Sequence, residues 1–137
     1  DHDAIVIGPG PGRPEISPVS MHAAKLEIPV LGICLGHQAI GLSRGMKLVE
    51  SPYGPVHGIP SAIVSNGSGL MEEGRYEMTR YNSLVLTGSG ALEVTASDET
   101  GVLPMEIRDG STYGIQFHPE SYKTKYGQKI INNFILF

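Results

Sequence analysis

The stretch IPVLGICLGHQAIGLSR, residues 28–44, decides the predicted fold. Residues 28–33 are a short apolar run, which is typical of a strand buried on both faces of a parallel sheet. Residues 35–44 read as a helix that ends at Gly45, because glycine is common just after a helix end. The stretch therefore predicts a strand, a one-residue corner at Cys34 and a helix.

The remaining apolar runs extend this strand-and-helix pattern along the whole chain. Residues 4–7 are a second wholly apolar run, again typical of a strand buried on both faces, and such a strand needs helices on either side. Helices are predicted over 18–27, where Val19, Ala23 and Leu26 share one face before Pro29, and over 127–137. Alternating segments between turn residues predict a largely antiparallel middle region and one more strand at 113–117. The middle segments are 46–49, 61–64, 76–79, 84–87, 92–96 and 102–107.

The predicted fold class is α/β: an open, mostly parallel sheet flanked by helices in a flavodoxin-like three-layer arrangement, with an added antiparallel β region. The chain has 137 residues, which suits one domain with its own core. Its net charge of -4, with Lys and Arg scattered, argues against a nucleic-acid or anionic-membrane surface. No apolar run approaches the ~18 residues of a membrane span. The single cysteine cannot form an internal disulfide, which favours a reducing, cytoplasmic location.

Cys34 stands at the predicted strand-to-helix corner, with Gly32 two residues before it and Gly36 two residues after it. A nucleophile at such a corner has a strained backbone, and small residues on both sides avoid collisions between strand and helix. The helix N-terminus favours the thiolate, and the free N–H of Leu35 points to where an oxyanion would form. The alternative is that Cys34 is only a small buried hydrophobic residue.

A second candidate segment, YGIQFHPES, supplies a base for such a thiol. His118 follows an apolar strand, and Glu120 lies two residues further on, past a proline that fixes the local turn. Sites collect at the carboxyl ends of parallel strands, so Cys34 and His118 could meet there. The alternative for His118 is a capping or solvent-facing residue. His37 and Cys34 are three residues apart, but two ligands do not make a zinc site, and no metal is predicted.

Three separated motifs, IGPGPGRPE, PVLGICLGHQAIG and YGIQFHPES, together resemble the class I glutamine amidotransferases. The segments HG, RYNSL and NNFI are also similar to that family. Within it, the resemblance is strongest to the glutaminase subunits of anthranilate synthase and of its aminodeoxychorismate synthase relative, and it extends from the first residues to the last helix.

The resemblance implies hydrolysis of L-glutamine through a γ-glutamyl thioester on Cys34, with His118 as base and then acid and Glu120 orienting it. It implies an oxyanion hole formed by the N–H groups of Gly10 and Leu35. The glutamine pocket implied by the family comprises Gly10, Pro11, Gly12, Gln38, Ser83 and Leu84. No cofactor is expected in this chain.

The resemblance also implies a partner. The ammonia would pass to a chorismate-utilising synthase, either a large subunit or a fused domain, and His57, Gly58 and Ser61 match the segment that faces it. Anthranilate synthesis for tryptophan is the preferred acceptor reaction, and aminodeoxychorismate synthesis for folate is the alternative. A cysteine hydrolase of another class and a non-catalytic module with the same fold are further alternatives.

This chain departs from the family pattern in two side chains and at its beginning. The family usually has a lysine where this chain has Ile59 and a histidine where it has Asn82. The opening strand–helix–strand portion of the family fold has no counterpart before Asp1. Residues 1–137 are therefore expected to be a single glutamine amidotransferase domain that is N-terminally incomplete, because loss of a central strand would leave backbone groups unpaired.

The loop GPGPG, residues 8–12, is not a dinucleotide loop. The pattern G-x-G-x-x-G fails because its sixth position is Arg13. The two prolines also remove N–H groups that a phosphate would need. A stiff loop that presents the single amide of Gly10 suits one wall of an acyl-transfer pocket instead.

Overall fold

The structure is a computed structural model that describes residues 4–8, 10, 13–14, 17–88, 90–119 and 127–135, and only the main chain of residues 56–60. Every predicted element is present in these ranges, with ends shifted by a few residues. The strands are β1 Ile5–Ile7, β2 Val30–Ile33, β3 Lys47–Glu50, β4 Val56–Ser65, β5 Gly74–Asn82, β6 Leu84–Thr87, β7 Glu93–Asp98, β8 Pro104–Asp109 and β9 Thr112–Ile115. The helices are α1 Pro18–Ala23, α2 Leu35–Ser43 and α3 Gly127–Ile135.

The main sheet has seven described strands in the order β1-β2-β9-β8-β7-β4-β5. β1, β2 and β9 are parallel, with Val6 beside Leu31 and Leu31 beside Tyr113. From β9 outward the pairings are antiparallel, and β3 and β6 form a separate antiparallel pair. The predicted α/β fold with an added antiparallel region is therefore confirmed. Most of that region continues the parallel strands within one sheet.

Helices cover both faces of the parallel strands. Side chains alternate along a strand, so Val30 of β2 faces a core shared with Ala39 and Ile40 of α2. Leu31, its neighbour, faces the opposite core, which includes Phe134 of α3. This arrangement gives three layers and places the end of β2 directly under the start of α2.

One prediction about burial is wrong. Val6 is 54% exposed, although residues 4–7 were expected to be buried on both faces. β1 is the end strand of the described sheet, and nothing in the described ranges covers that side chain. On α1, Met21 and Ala23 pack against the core and Ala24 is buried just after the helix, whereas Val19 is 79% exposed.

No helix in the described part of the chain has the length and apolar character that a bilayer crossing requires.

Candidate active site

Cys34 forms the corner between β2 and α2 and has a strained backbone. Its φ is 54° and its ψ is -96°, and it is the one non-glycine residue with positive φ among those described. Such a conformation costs about 1–3 kcal/mol and persists only where surrounding contacts enforce it. The Cys34 N–H donates a hydrogen bond to the Ile115 carbonyl of β9 at 2.8 Å, which anchors the corner to the sheet. Cys34 therefore has the geometry predicted for a nucleophile corner.

The two glycines around Cys34 allow the strand, the helix and β1 to approach closely. A Cβ on Gly32 would lie 2.5 Å from the backbone of Gly36, and a Cβ on Gly36 would lie 2.5 Å from the Ile7 carbonyl oxygen. Both distances are shorter than a carbon can tolerate against backbone atoms. The predicted steric reason for glycine on both sides of the corner is therefore confirmed.

A cavity of about 160 Å³ opens beside Cys34. Three of its residues come from the loop after β1, the corner between β2 and α2, and α2, and four come consecutively from the end of β5 to the start of β6. The lining residues are Gly10, Cys34, Gln38, Tyr81, Asn82, Ser83 and Leu84. The cavity brings together four of the predicted glutamine-pocket residues, while Pro11 and Gly12 lie outside the described residues.

The two predicted oxyanion-hole residues lie close to each other. A Cβ built on Gly10 would contact Cδ2 of Leu35 at 3.5 Å. Leu35 is the first residue of α2, so its N–H has no acceptor within the helix. The first bond of the helix is donated instead by Gln38 N to the Cys34 carbonyl. The N–H of Leu35 therefore has no partner within the helix, and its role in the oxyanion hole stays a prediction.

His118 lies next to Tyr81, a residue that also contacts Cys34. The rings of Tyr81 and His118 meet edge to face with centroids 4.8 Å apart, and the Cys34 Sγ lies 3.8 Å from the Tyr81 carbonyl oxygen. The His118 N–H donates to the Thr79 carbonyl at 2.7 Å, which fixes the histidine segment against β5. Cys34 and His118 therefore both contact Tyr81. Glu120 lies outside the described residues.

Three residues to which the sequence assigned no role in the pocket also lie at the site. Tyr81 and Asn82 line the cavity, and Gln116, which is fully buried, donates from Nε2 to the Cys34 Sγ at 3.5 Å. Gln116 carried a usable signal, since it is a polar residue inside the apolar segment YGIQF. The sequence signal for Tyr81 and Asn82 was weaker, because their position beside the cavity depends on the long-range pairing of β5.

The main chain of Ser83 and Leu84 is held in place from three directions. The Leu84 carbonyl accepts from Asn82 Nδ2 and from Gln38 Nε2, each at 3.2 Å. The Ser83 carbonyl accepts from Ser51 N at 2.9 Å. Asn82, which stands where the family usually has histidine, therefore braces the cavity wall here.

The predicted partner segment lies beside the site along β4. The main chain of His57 pairs with Tyr81, and a bulge follows between His57 and Ile59. Only the main chain of His57 and Gly58 is described, and Ser61 is half-buried opposite Met78. The segment is thus placed next to the cavity, while its contact with a partner stays a prediction.

His37 is a buried histidine one turn along α2 from Cys34. Burial lowers its pKa from 6.5 to about 4. The main chain of Gly114 acts in the opposite direction, but burial is the larger of the two effects. His37 is therefore neutral at neutral pH, and it packs against Gly114 of β9.

The buried His37 predicts a loss of stability in mild acid. Between pH values of about 6.5 and 4 the unfolded chain binds a proton that the folded chain does not, so the free energy of unfolding falls as the pH falls. The expected loss through His37 between pH 7.5 and pH 5 is about 2 kcal/mol. Urea unfolding of His37→Gln at both pH values should show a correspondingly smaller loss, whereas exposed His22→Gln should match the wild type. An unchanged loss in His37→Gln would contradict the assignment.

A family model described as glutamine amidotransferase class-I matches residues 1–136. The chain belongs to the class-I glutamine amidotransferase family. The anthranilate synthase component 2 of Archaeoglobus fulgidus is 42% identical to it, over 97% of this chain and 74% of that protein. The bifunctional protein TrpGD of Thermotoga maritima is 41% identical, over 96% of this chain and 24% of that protein. The aminodeoxychorismate synthase of Streptomyces griseus is 39% identical, over 96% of this chain and 19% of that protein.

Solved structures show the same fold at lower identity. A protein of Thermoplasma acidophilum superimposes with a TM-score of 0.84 at 23% identity, over 97% of this chain and 71% of that one. A glutamine amidotransferase of Thermotoga maritima superimposes with a TM-score of 0.73 at 19% identity, over 98% of this chain and 61% of that one. The chain thus spans about three quarters of its shorter relatives and a quarter or less of the two long ones.

Proposed function

We propose that this chain is the glutaminase part of a chorismate-utilising amidotransferase and releases ammonia from L-glutamine. The observation that carries the proposal is the strained Cys34, which lies at the N-terminus of α2 and lines a cavity with Gly10 and Gln38. Family membership gives this corner a substrate class, because class-I members are glutamine amidotransferases. A merely structural cysteine would need neither the strain nor the cavity.

The first half-reaction forms a thioester. The Cys34 thiolate attacks the side-chain carbonyl carbon of glutamine, and the carbonyl oxygen becomes an oxyanion that accepts from the N–H groups of Gly10 and Leu35. The C–N bond then breaks as protonated His118 gives its proton to the leaving nitrogen. Ammonia departs and the γ-glutamyl group stays on sulfur.

The second half-reaction restores the enzyme. His118 takes a proton from water, whose oxygen attacks the thioester carbonyl carbon, and the C–S bond breaks to release glutamate and the thiolate. Glu120 orients His118 in this scheme, as the third member of the triad. Removing one oxyanion donor from such a site typically costs about 3 kcal/mol of transition-state stabilisation.

The substrate is held at its other end by the braced turn after β5. The main chain of Ser83 and Leu84 faces the cavity and binds the α-amino and α-carboxylate groups, with Gln38 alongside. The bonds from Asn82 and Gln38 to the Leu84 carbonyl support this, because they fix the turn before substrate arrives. Gly10 lines the same cavity from the loop after β1, and the proposed pocket also includes Pro11 and Gly12, which lie outside the described residues.

The acceptor of the ammonia is proposed to be chorismate on an anthranilate synthase, in a cytoplasmic pathway to tryptophan. Support comes from relatives named anthranilate synthase component 2, which are 37–42% identical and of which this chain covers about three quarters. The aminodeoxychorismate synthase of Streptomyces griseus supports the alternative acceptor reaction. His57, Gly58 and Ser61 would face the synthase in either case.

Replacement of His118 tests the proposed half-reactions. We expect His118→Asn to lower glutamine hydrolysis by the full-length protein with its synthase about 1000-fold, because both proton transfers lose their carrier. Glutamate release is the measurement, and His22→Asn, an exposed histidine on α1, is the matched control. Hydrolysis at the wild-type rate in His118→Asn would contradict the proposal. Turnover of other acyl substrates but not glutamine would indicate a cysteine hydrolase of another class.

A further inference from the structure

Gln116 connects the Cys34 sulfur to Gln38 through a fully buried side-chain amide. Its Nε2 lies 3.5 Å from the Cys34 Sγ, and its Oε1 accepts from Gln38 Nε2 at 3.4 Å. The Gln116 main chain donates to the Met105 carbonyl at 2.9 Å, which extends the pairing of β9 and β8 by one residue. A buried amide is costly unless both ends are bonded, and here each end has one partner at the site.

The direction of this amide matches the needs of a thiolate. A thiolate has no proton, so each polar neighbour that stabilises it must donate. Gln116 turns its NH₂ group to sulfur, and a hydrogen bond to a charged group is worth more than one between neutral groups. With its NH₂ group committed to sulfur, Gln116 presents its oxygen to Gln38.

The Tyr81 carbonyl distinguishes the thiol from the thiolate. It lies 3.8 Å from the Cys34 Sγ and can only accept, so it pairs with the thiol and repels the thiolate. Loss of the proton therefore favours movement of the sulfur away from Tyr81, while the Gln116 donor continues to hold it. The thiol is therefore expected to contact both Tyr81 and Gln116, and the thiolate to contact Gln116 alone of these two.

The same amide determines which atom Gln38 shows to the cavity. Gln38 Nε2 donates both to Gln116 Oε1 and to the Leu84 carbonyl. Both hydrogens of that nitrogen are thereby used, and Gln38 Oε1 accepts no hydrogen bond from the described residues. Gln38 Oε1 is consequently the acceptor that Gln38 presents to the cavity, and it suits an ammonium or amide N–H of a ligand.

We propose that Gln116 is a positioning residue that holds the Cys34 sulfur as a thiolate and fixes the oxygen of Gln38 toward the cavity. This inference rests on the proposed function, in which the Cys34 thiolate is the nucleophile. Gln116 acts through Cys34 and Gln38 and is not assigned a contact with substrate.

Other titratable groups lie on the elements that pack around the Cys34 corner, and their ionisation contributes to any pH profile of the thiol. They are His37 on α2, Arg80 and Tyr81 on β5, and His118 after β9. Arg80 is buried, and its guanidinium lies 3.7 Å from the Met105 sulfur. Gln116 itself does not ionise, so replacing it changes the hydrogen bonding of Cys34 and leaves these charges in place.

The experiment is the pH profile of Cys34 alkylation by iodoacetamide in the full-length protein. Gln116→Met keeps the side-chain length and removes the donor, so the midpoint of the profile should rise by about one pH unit. Well below that midpoint, alkylation should slow about 10-fold. Gln116→Glu, which places a carboxylate beside sulfur, should raise the midpoint further. Gln128→Met on the exposed face of α3 is the matched control and should leave the profile unchanged.

A second readout separates positioning from simple packing. Gln116→Met should also raise the KM for glutamine about 10-fold, because the Gln38 amide loses the acceptor that orients it. A lower melting temperature with an unchanged alkylation midpoint in both Gln116 variants would overturn the proposal and leave a structural role. Alkylation requires no turnover, so a shifted midpoint in a protein that does not hydrolyse glutamine would support the thiolate contact and contradict the proposed function alone.

Discussion

Replacing Cys34 with serine is expected to abolish glutamine-dependent synthesis by the full-length protein with its synthase and to leave synthesis from added ammonium intact. Serine keeps the corner and nearly the same volume, but its hydroxyl is a far weaker nucleophile at neutral pH than a thiolate. The loss should exceed about 1000-fold, since covalent catalysis stops at its first step. The measurement is the rate of aminated product with glutamine or with an ammonium salt as nitrogen source.

The ammonium reaction serves as the internal control for this variant. It bypasses the Cys34 cavity and reports whether the synthase and its contact with this chain are intact. Cys34→Ala should behave in the same way, which excludes an effect of the new hydroxyl. Loss of both reactions in both variants would show that Cys34 holds the structure together, and retention of both would show that it is not the nucleophile.

The second large effect is expected on stability from Gly36→Ala. Alanine is the better helix former by about 1 kcal/mol, so helix propensity alone predicts a more stable protein. The structure predicts the opposite, because the new Cβ would lie 2.5 Å from the Ile7 carbonyl oxygen. Backbone atoms of β1 cannot move without breaking the pairing with β2. We expect the free energy of unfolding to fall by about 3 kcal/mol.

Denaturant unfolding of Gly36→Ala measures this effect, and Gly8→Ala is the matched control. A Cβ on Gly8 would meet nothing within 4 Å, so that variant should differ from the wild type by less than about 1 kcal/mol. The contrast matters for function, because the approach of α2 to β1 brings the Cys34 corner beside the strand that leads to Gly10. Equal stability of the two variants would contradict the packing described at this corner.

The sequence predicted the Cys34 corner well because its causes are local. Gly32 and Gly36 lie two residues from Cys34, and the collision that Gly32 avoids is with Gly36 itself, only four residues away. The collision that Gly36 avoids is with Ile7 of β1, so its partner depends on strand pairing. Residues 84–87 were likewise predicted with the observed ends, since alternation between two turns needs no knowledge of the neighbouring strand. The resemblance to a family then supplied roles for these residues, which local spacing could not.

Features that depend on strand order could not be predicted from the sequence. The exposure of Val6 follows from the place of β1 at the end of the described sheet, which no local pattern encodes. Gln116 reaches Cys34 only because β9 lies parallel to β2 in the observed register. Tyr81 and Asn82 reach the cavity only because β5 ends beside it.

The most direct test of the central claim is the mass of the full-length protein after treatment with a diazoketone analogue of glutamine. We expect one adduct per chain, on the peptide that contains Cys34, and protection of that peptide by excess L-glutamine. We expect no such adduct in Cys34→Ser. An unmodified Cys34 in the folded protein, or modification that glutamine does not prevent, would show that Cys34 is not the nucleophile of a glutaminase.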